Sequence, residues 1–269
     1  MSHAELLSVS VVCCNARRTI ERVIASVSGL ASEIIVLDSG STDGTLELLE
    51  AHPGVTIIDQ PWLGYVRQKQ AALERCTRPW VLHLDADESL EPDLRRSIEQ
   101  ALARNDPRIA GYELNRKVWY AGRFLEHAWQ PEWRLRLVRR EHARWTGYDP
   151  HDRMELLPSP GPIRGSTATA RLAGDIRHDC IPSIGEFLER QASHARTAAG
   201  ALSAQGRTGS VARLAFSPVG EFIKQAAFRS AWRDGWRGWV AASASSVAVA
   251  MKHAALLEAA HLARQETAP

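Results

Sequence analysis

The chain has 269 residues, 45% of them hydrophobic, and its 33 lysines and arginines nearly balance its 31 aspartates and glutamates. These values are typical of a folded globular protein with one large domain, with or without an appendage, and they exclude a disordered chain or a small disulfide scaffold. The four cysteines have no spacing that predicts a zinc site. We therefore expect a protein of the reducing cytoplasm.

Two apolar stretches bear on membrane targeting. The first, residues 6–16, follows Glu5 rather than a basic region, so it predicts a buried strand and not a secretory signal. The second, residues 238–251, is a charge-free run of 14 residues, against the about 20 that a transmembrane helix needs. The sequence therefore predicts no membrane-spanning segment.

Apolar runs of strand length alternate with amphipathic helical patterns through residue 106. Strands are predicted at residues 8–14, 33–39, 55–60 and 80–86, and helices from Thr19, around Leu46–Leu49, at 65–76 and around Leu94–Leu102. Continuous apolar strands that alternate with helices indicate an α/β fold with a mainly parallel sheet and helices on both faces. Ligands of such sheets bind beyond the carboxyl ends of the strands.

Polar residues follow all four of these predicted strands. They are Asn15, the segment Asp38–Gly44, the pair Asp59–Gln60, and the triplet Asp85–Asp87. One such group would be explained by a helix cap, but four at the same edge of a sheet predict a binding site.

The pattern changes after residue 106. Residues 111–120 and 134–140 alternate as strands, which places Leu135 and Leu137 on one face and Arg134 and Arg136 on the other, where an anion is needed. Beyond residue 182 the chain reads as helical, with breaks predicted at residues 206–209 and at Pro218. We expect a first domain over residues 1–182, with a nucleotide-binding half (1–106) and an acceptor-side half (107–182), and a basic helical region over 183–269.

Asp85 and Asp87 lie on the same side of the chain, an arrangement suited to a divalent cation that a substrate diphosphate shares. The competing interpretation is that Asp87 only caps the next helix.

Asp38 precedes small turn-forming residues, which suits a pocket for a base or ribose, but Thr42 or Asp43 could equally cap a helix there.

Several motifs together resemble the glycosyltransferases of family 2, which have the GT-A fold. They are Asn15, LDSGSTDG (37–44), Gly64-x-x-x-Gln68-Lys69 and WVLHLDADE (80–88).

Looser motifs resemble the bacterial subgroup that adds glucose or related sugars to the lipopolysaccharide core. These are Pro131-x-x-x-Leu135-x-Leu137-x-Arg139, Pro150-His151-Asp152, Asp175-Ile176-Arg177-His178 and Trp232-x-Asp234-Gly235-Trp236-x-Gly238 with Lys252.

The resemblance implies a role for each matching residue. Asp38, Asn15 and Gln68 would bind the nucleotide, Asp85 would face its ribose, and Asp87 would bind Mg²⁺ or Mn²⁺. Gln68 and Lys69 would lie at a helix edge over the sugar site, neither being catalytic. His178 would contact the metal or diphosphate, although a lone histidine at a strand end is more often a plain hydrogen-bonding residue.

Family members invert the anomeric centre, which requires a general base for the acceptor hydroxyl. Asp152 is our candidate base, at a position where the subgroup usually has His-Glu; the alternative is that it only pairs with Arg153 or Arg134. Arg134 and Arg136 would reach the diphosphate or an anionic acceptor, unless they are merely solvated arginines of an edge strand. A further departure is Ala16, where the family usually has glutamate.

The basic tail carries a net charge of +6 over residues 190–269, against −4 for residues 1–189. Its aromatic and basic residues suit a bilayer interface, with Trp232, Trp236 and Trp239 on one helical face and Arg229, Arg233 and Arg237 on an adjacent one. A tryptophan stripe packed on the catalytic domain is the alternative. We expect no nucleic-acid partner, since no motif for one is visible.

The sequence thus predicts an inverting, metal-dependent glycosyltransferase. It would use a nucleotide diphosphate sugar, with uridine favoured by the resemblance, and a lipopolysaccharide-core or other lipid-linked acceptor. We expect a cytoplasmic protein that associates peripherally with the inner face of the inner membrane, where its partner would be anionic lipid. The alternative function is a non-catalytic membrane adaptor that binds nucleotide sugars.

Overall fold

The computed structural model describes residues 4–149, 151–157 and 168–266. The chain forms two compact units. The first takes the described parts of Met1–Arg116, Glu132–Gly147 and Asp152–Asp179, and the second takes those of Lys117–Pro131, Tyr148–His151 and Cys180–Pro269. The domain boundaries predicted at residues 106 and 182 stay predictions, because a compact unit is not by itself an independently folding domain.

Strands and helices alternate through the first hundred residues, as predicted. The strands are β1 (Leu7–Cys13), β2 (Glu33–Asp38), β3 (Val55–Asp59), β4 (Trp80–Asp85), β5 (Glu88–Leu90), β6 (Ile109–Tyr120), β7 (Arg123–Phe124), β8 (Trp133–Arg139), β9 (Ala143–Tyr148), β10 (His151–Leu156) and β11 (Ala168–His178). The helices are α1 (Ile20–Val27), α2 (Thr45–Glu50), α3 (Tyr65–Arg75), α4 (Pro92–Arg104), α5 (Ile184–Ala204), α6 (Val211–Ile223) and α7 (Trp236–Glu266).

The main sheet has the strand order β3-β2-β1-β4-β8-β6-β11-β5. β1 pairs in parallel with β2 and β4, and β2 pairs in parallel with β3, so these four strands form the parallel sheet that the sequence predicts. β8 is antiparallel to β4 and to β6, and β5 is antiparallel to β11. β9 and β10 form a separate two-stranded sheet.

Helices cover both faces of the parallel part. Because side chains alternate along a strand, Ile34 and Val36 of β2 join one hydrophobic cluster while Ile35 and Leu37 join another. The first cluster also contains the buried residues of α1 and α4, and the second contains the buried apolar residues of α3, Ala72 and Leu73. This arrangement confirms the predicted α/β class.

Helix α1 illustrates why the sequence pattern is sufficient here. It begins after Thr19, and its apolar side chains at steps of three and four, Ile20, Val23, Ile24 and Val27, are all buried against the sheet. Each such burial contributes roughly 1.5–3 kcal/mol, which exceeds what helix propensity alone supplies to eight residues.

The helical C-terminal region is confirmed, and the predicted break at residues 206–209 falls between α5 and α6. The break predicted at Pro218 is wrong, because Pro218 lies inside α6. An interior proline costs a helix about 3 kcal/mol or more. Here α6 packs along α7, and the hydroxyl of Ser246 donates to the Pro218 carbonyl at 2.8 Å, so tertiary contacts offset this cost.

The prediction of one helical face for Trp232, Trp236 and Trp239 is also wrong. Trp232 lies in a separate short 3₁₀ turn, Ala231–Asp234, and Gly235 follows with φ of 63°, a conformation that favours glycine. The cause is Asp234, whose carboxylate accepts the main-chain N–H groups of residues 126, 127 and 128 at 2.8–3.0 Å. The helical conformation is therefore interrupted at Gly235, before α7 begins at Trp236. Arg229, Arg233 and Arg237 do not share a single helix either.

Within α7, residues Trp236–Leu262 are long and apolar enough to cross a membrane by length and composition. The mean hydropathy is 1.4, and 22% of an 18-residue apolar stretch of this helix is buried. A single such helix is weak evidence for a membrane span, since core helices of soluble proteins pass the same test. The prediction that no segment spans a membrane stays a prediction.

Candidate active site

The carboxyl ends of the parallel strands carry the site that the sequence predicts, all within the first unit. In the sheet, Cys13 pairs with Asp38, Asp38 with Asp59, and Val12 with Asp85. The polar residues that follow these strands therefore lie side by side along one edge of the sheet, as a ligand site of a parallel sheet requires.

Asp38 is buried at the end of β2 and organises the loop that follows it. One of its carboxylate oxygens accepts the main-chain N–H groups of Gly40 and Ser41, each at 2.8 Å, and the other accepts from Cys13 at 3.3 Å. Burial works against ionisation, but these hydrogen bonds and that of the Ser41 hydroxyl outweigh it and lower the pKa of Asp38. Its role toward a nucleobase stays a prediction.

Asn15 joins the first loop to the second. It adopts a left-handed conformation with φ of 52°, which asparagine tolerates better than most residues. Its Oδ1 accepts the main-chain N–H of Thr42 at 2.9 Å, and its own N–H donates to the Ser41 hydroxyl at 2.8 Å. The two loops thus form one connected rim.

Gln68 extends this rim to the third loop. Its side chain is fully buried, and its Nε2 donates to the Ser39 hydroxyl at 2.9 Å and to the Gln60 carbonyl at 3.2 Å. Its Oε1 accepts the N–H of Leu63 at 3.3 Å. Gln68 thus connects the loop after β2 to the loop after β3, and its role toward a nucleotide stays a prediction.

Asp85, at the end of β4, is surrounded by cations. Its Oδ1 lies 2.7 Å from Lys69 Nζ, and its Oδ2 lies 2.8 Å from Arg136 Nη2. Burial opposes its ionisation, yet the charges of Lys69 and Arg136 hold the pKa of Asp85 well below its ordinary value. Two cations of the chain thus orient the Asp85 carboxylate, and its role toward a ribose stays a prediction.

A buried ion-pair network lies behind Asp85. Glu88 contacts Arg136 at 2.7 Å and Arg116 at 3.0 Å, and Arg116 also binds Glu132 through two nitrogens, at 2.7 and 3.0 Å. The sequence analysis missed Glu88, Arg116 and Glu132. The signal available in the sequence was the placement of Arg134 and Arg136 on one face of a predicted strand, which indicated a nearby anion without identifying it.

The two arginines of β8 differ in their surroundings. Arg136 is buried, and although burial acts against its charge, Glu88 and Asp85 raise its pKa. Arg134 has a side chain 44% exposed and pairs with Glu132 at 2.6 Å. The anions that both arginines contact are thus carboxylates of this chain, and their contact with a diphosphate or acceptor stays a prediction.

Asp152, the candidate base, is paired with Lys69 Nζ at 2.8 Å. The predicted alternative of pairing with Arg153 or Arg134 is wrong, because Arg153 pairs with Glu155 and Arg134 pairs with Glu132. Of the motif Pro150-His151-Asp152, Pro150 lies outside the described residues. The structure brings Asp152 and Asp85 to the same lysine, although they are 67 residues apart in the chain.

Asp87 and His178 lie close together in the structure. Asp87 lies between β4 and β5, His178 ends β11, and Nε2 of His178 lies 3.6 Å from Oδ1 of Asp87. Burial raises the pKa of Asp87, but the charge of His178 and its hydrogen bond outweigh this and lower it. Among the described residues, no three His, Cys, Asp or Glu side chains cluster closely enough to hold a metal by themselves.

The residues present fit a cation that is shared with the substrate. Mg²⁺ is commonly bound through one or two carboxylates together with substrate phosphates and water, and Mn²⁺ accepts the same oxygen ligands and imidazole. Asp87 and His178 supply such a partial set, whereas both oxygens of Asp85 face cations of the protein.

Comparison with known proteins finds glycosyltransferases. The chain is 29% identical over 252 residues to LpsC of Rhizobium meliloti, described as a lipopolysaccharide core biosynthesis glycosyltransferase, and the match covers 90% of this chain and 88% of that protein. It is 38% identical over 117 residues to an uncharacterized glycosyltransferase of Rickettsia typhi, covering 43% of this chain and 40% of that one.

A solved structure, the mannosyltransferase PcManGT from Pyrobaculum calidifontis in complex with GDP-Man and Mn²⁺, is 17% identical, with a TM-score of 0.47 over 97% of this chain and 79% of that one. The model of the family described as "Glycosyl transferase family 2" matches residues 8–155. The match spans more than half of the chain and includes the ends of β1, β2, β3 and β4. The chain therefore belongs to glycosyl transferase family 2, a family of transferase enzymes.

Proposed function

We propose that this protein is an inverting glycosyltransferase that moves glucose or a related hexose from a nucleotide diphosphate donor to a lipopolysaccharide-core or other lipid-linked glycan. The observation that carries the proposal is the joint placement of Asp85, Asp87, His178 and Asp152 in one unit at the carboxyl edge of the sheet. The relative from Rhizobium meliloti supports the acceptor class.

In the proposed reaction, an acceptor hydroxyl attacks the anomeric carbon while the bond from that carbon to the diphosphate oxygen breaks on the opposite face. Asp152 takes the hydroxyl proton, and general base catalysis of this kind typically contributes 10²- to 10⁴-fold. Its side chain is partly buried, and Lys69 keeps the carboxylate oriented. The nucleoside diphosphate leaves with both electrons of the broken bond.

We propose Asp87 and His178 as the residues that hold Mg²⁺ or Mn²⁺ with the donor diphosphate. The cation supplies charge neutralisation for the leaving group, typically several kcal/mol. On the nucleotide side, the rim formed by Asn15, Asp38 and Gln68 is rigidly connected and suits a base and ribose, with uridine favoured by the family resemblance. Arg134 and Arg136 are the arginines that would reach the diphosphate or an anionic acceptor.

The proposal is tested with purified protein, Mn²⁺, a panel of nucleotide sugars that includes UDP-glucose, UDP-galactose and GDP-mannose, and core-truncated lipopolysaccharide as acceptor. We expect label transfer from one donor, dependent on Mn²⁺ or Mg²⁺ and abolished by Asp87→Ala. Nucleotide-sugar binding without transfer to any acceptor would favour the non-catalytic adaptor instead.

We further propose that the second unit binds the cytoplasmic surface of the inner membrane. Among its described residues, the exposed large hydrophobic side chains are Tyr148, Ile184, Val211, Phe216, Val219, Ile223, Phe228, Trp232, Trp236, Trp239, Val247 and Leu262. Aromatic side chains beside basic ones suit a bilayer interface with anionic lipid. The alternative interpretation is that the three tryptophans are packed against the protein itself. It is disfavoured because each of their side chains is about half exposed.

Flotation with vesicles of anionic and of neutral lipid tests this membrane proposal. We expect the triple variant Trp232→Ala, Trp236→Ala, Trp239→Ala to lose most binding to anionic vesicles. Trp62→Ala is the matched control, because Trp62 is similarly exposed but lies in the first unit. A folded triple variant that floats like the parent protein would contradict the membrane proposal.

A further inference from the structure

Lys69 lies in the first half of α3 and is almost completely buried, with 5% of its surface exposed. Lysine is seldom buried to this degree unless its charge is paired, because removing an ammonium group from water is costly. Its position therefore requires nearby carboxylates.

Two carboxylates from different parts of the fold meet its ammonium group. Nζ lies 2.7 Å from Oδ1 of Asp85, at the end of β4, and 2.8 Å from Oδ2 of Asp152, in β10. The ring of Trp145 covers another side, with its centroid 4.9 Å from Nζ. One carboxylate would be enough to neutralise the lysine, whereas two carboxylates and an aromatic face also fix where each group lies.

We propose that Lys69 is a positioning residue that holds the Asp152 carboxylate at a set distance from the donor site, so that the base meets the acceptor hydroxyl. The inference rests on the proposed function, since it gives Lys69 a role only through Asp152. Lysine suits this task because a compact ammonium group can donate in three directions, whereas a planar guanidinium directs its donors in a fixed fork.

The two carboxylates do not depend equally on Lys69. Asp85 also contacts Arg136 at 2.8 Å, so it keeps a cation when Lys69 is removed. Within residues 4–149, 151–157 and 168–266, the ion pair of Asp152 is the one to Lys69. Loss of Lys69 is therefore expected to affect proton removal from the acceptor more than donor binding, and so kcat more than the KM of the donor.

A double-mutant cycle with Lys69→Met and Asp152→Asn tests the inference, using the donor and acceptor pair that gives transfer in the assay above. We expect Lys69→Met to lower kcat about 10²-fold, as misplacement of a reacting group typically does, with a smaller change in the KM of the donor. In the Asp152→Asn background the same change should alter kcat by less than about threefold, because coupled residues are not additive. Arg75→Met, at the exposed end of α3, is the control with unchanged activity.

Multiplicative losses in the cycle would overturn the positioning role, since they would mean that Lys69 acts independently of Asp152. Full activity of Asp152→Asn would instead overturn the base assignment in the proposed function. If Lys69→Met does not fold, Lys69→Arg replaces it in the cycle: it keeps the charge, and we expect at least a tenfold loss of kcat that disappears in the Asp152→Asn background. An undiminished kcat of Lys69→Arg would also contradict the inference.

Discussion

Nε2 of His178 lies 3.6 Å from Oδ1 of Asp87, and this contact exists because β5 and β11 pair, with His178 opposite Glu88. The two residues are 91 positions apart, yet the pairing places an imidazole beside the second carboxylate of the Asp85-x-Asp87 motif. The motif and the strand end thus form one candidate cation site.

The first prediction concerns this site. With UDP near 100 times its Kd, the parent protein should gain about 2.7 kcal/mol of stability, and the gain should require Mn²⁺. Asp87→Asn should remove the Mn²⁺-dependent part of the thermal shift, and His178→Ala should reduce it, because each removes a ligand. Asp93→Asn, at a side chain 74% exposed, is the control. An unchanged Mn²⁺ requirement in Asp87→Asn would refute the assignment.

The second prediction concerns Asp152. Asp152→Asn keeps the size of the side chain and removes its ability to take a proton, so we expect kcat to fall by 10²- to 10⁴-fold. The affinity for the nucleotide, measured by calorimetry, should change little. Glu141→Gln is the matched control, because that carboxylate is 75% exposed. Transfer at the parent rate by a folded Asp152→Asn variant would exclude Asp152 as the base.

The third prediction compares the two arginines of β8. Arg136→Met leaves Asp85 and Glu88 with one cation fewer in a buried network, and breaking such a pair typically costs about 3–5 kcal/mol. Arg134→Met removes a pair that solvent screens, so its cost should stay below about 1 kcal/mol. Urea unfolding of both variants measures the difference, and equal losses would show that burial does not separate the two arginines.

The parallel half of the fold could be predicted because local patterns determine it. Strands β1 to β4 are continuous apolar runs, and α1 and α3 have apolar residues at helical spacing, so each element follows from its own sequence. The order of polar groups along the sheet edge then follows from the topology rule for parallel sheets.

The missed features depend on contacts between distant residues. Lys69 and Asp152 are 83 residues apart, and nothing near either residue indicates the other. The helix break before Trp236 arises because Asp234 binds main-chain groups more than 100 residues earlier in the chain. Spacing along the sequence predicts a continuous helical stripe there, and a long-range hydrogen-bond set overrides it.

The fourth prediction concerns acid stability. Burial raises the pKa of Glu132, but hydrogen bonds and charges from Arg116 and Arg134 outweigh it and lower the pKa from 4.5 to about 2. A lowered pKa in the folded state stabilises the protein above the unfolded pKa, and this stabilisation is lost as the pH falls from about 4.5 through about 2. The whole contribution is about 3 kcal/mol.

Urea unfolding at pH 5, 4, 3 and 2 measures this contribution. Glu132→Gln should be less stable than the parent at pH 5 and should lose less stability on acidification. Glu141→Gln, on the exposed surface, should follow the parent curve. Parallel curves for Glu132→Gln and the parent protein would contradict the ion-pair explanation.

The fifth prediction concerns Gly174 in β11. It has φ of +94°, and a Cβ atom there would lie 2.3 Å from the main-chain nitrogen of Leu94 in α4. Gly54 has a similar φ of +89° but no other described heavy atom within 4 Å of such a Cβ. Gly54→Ala should therefore cost only the backbone strain, about 1–2 kcal/mol, whereas Gly174→Ala should cost at least about 2 kcal/mol more because α4 and β11 must separate.

Such a separation would also reach the candidate cation site, because β11 ends at His178, four residues beyond Gly174. We therefore expect Gly174→Ala to weaken the Mn²⁺-dependent binding of UDP in addition to its effect on unfolding in urea, while Gly54→Ala changes stability alone. Equal destabilisation by the two variants would mean that the strand and helix yield without strain. Normal Mn²⁺-dependent binding in a destabilised Gly174→Ala would instead mean that the displacement does not extend along β11 to His178.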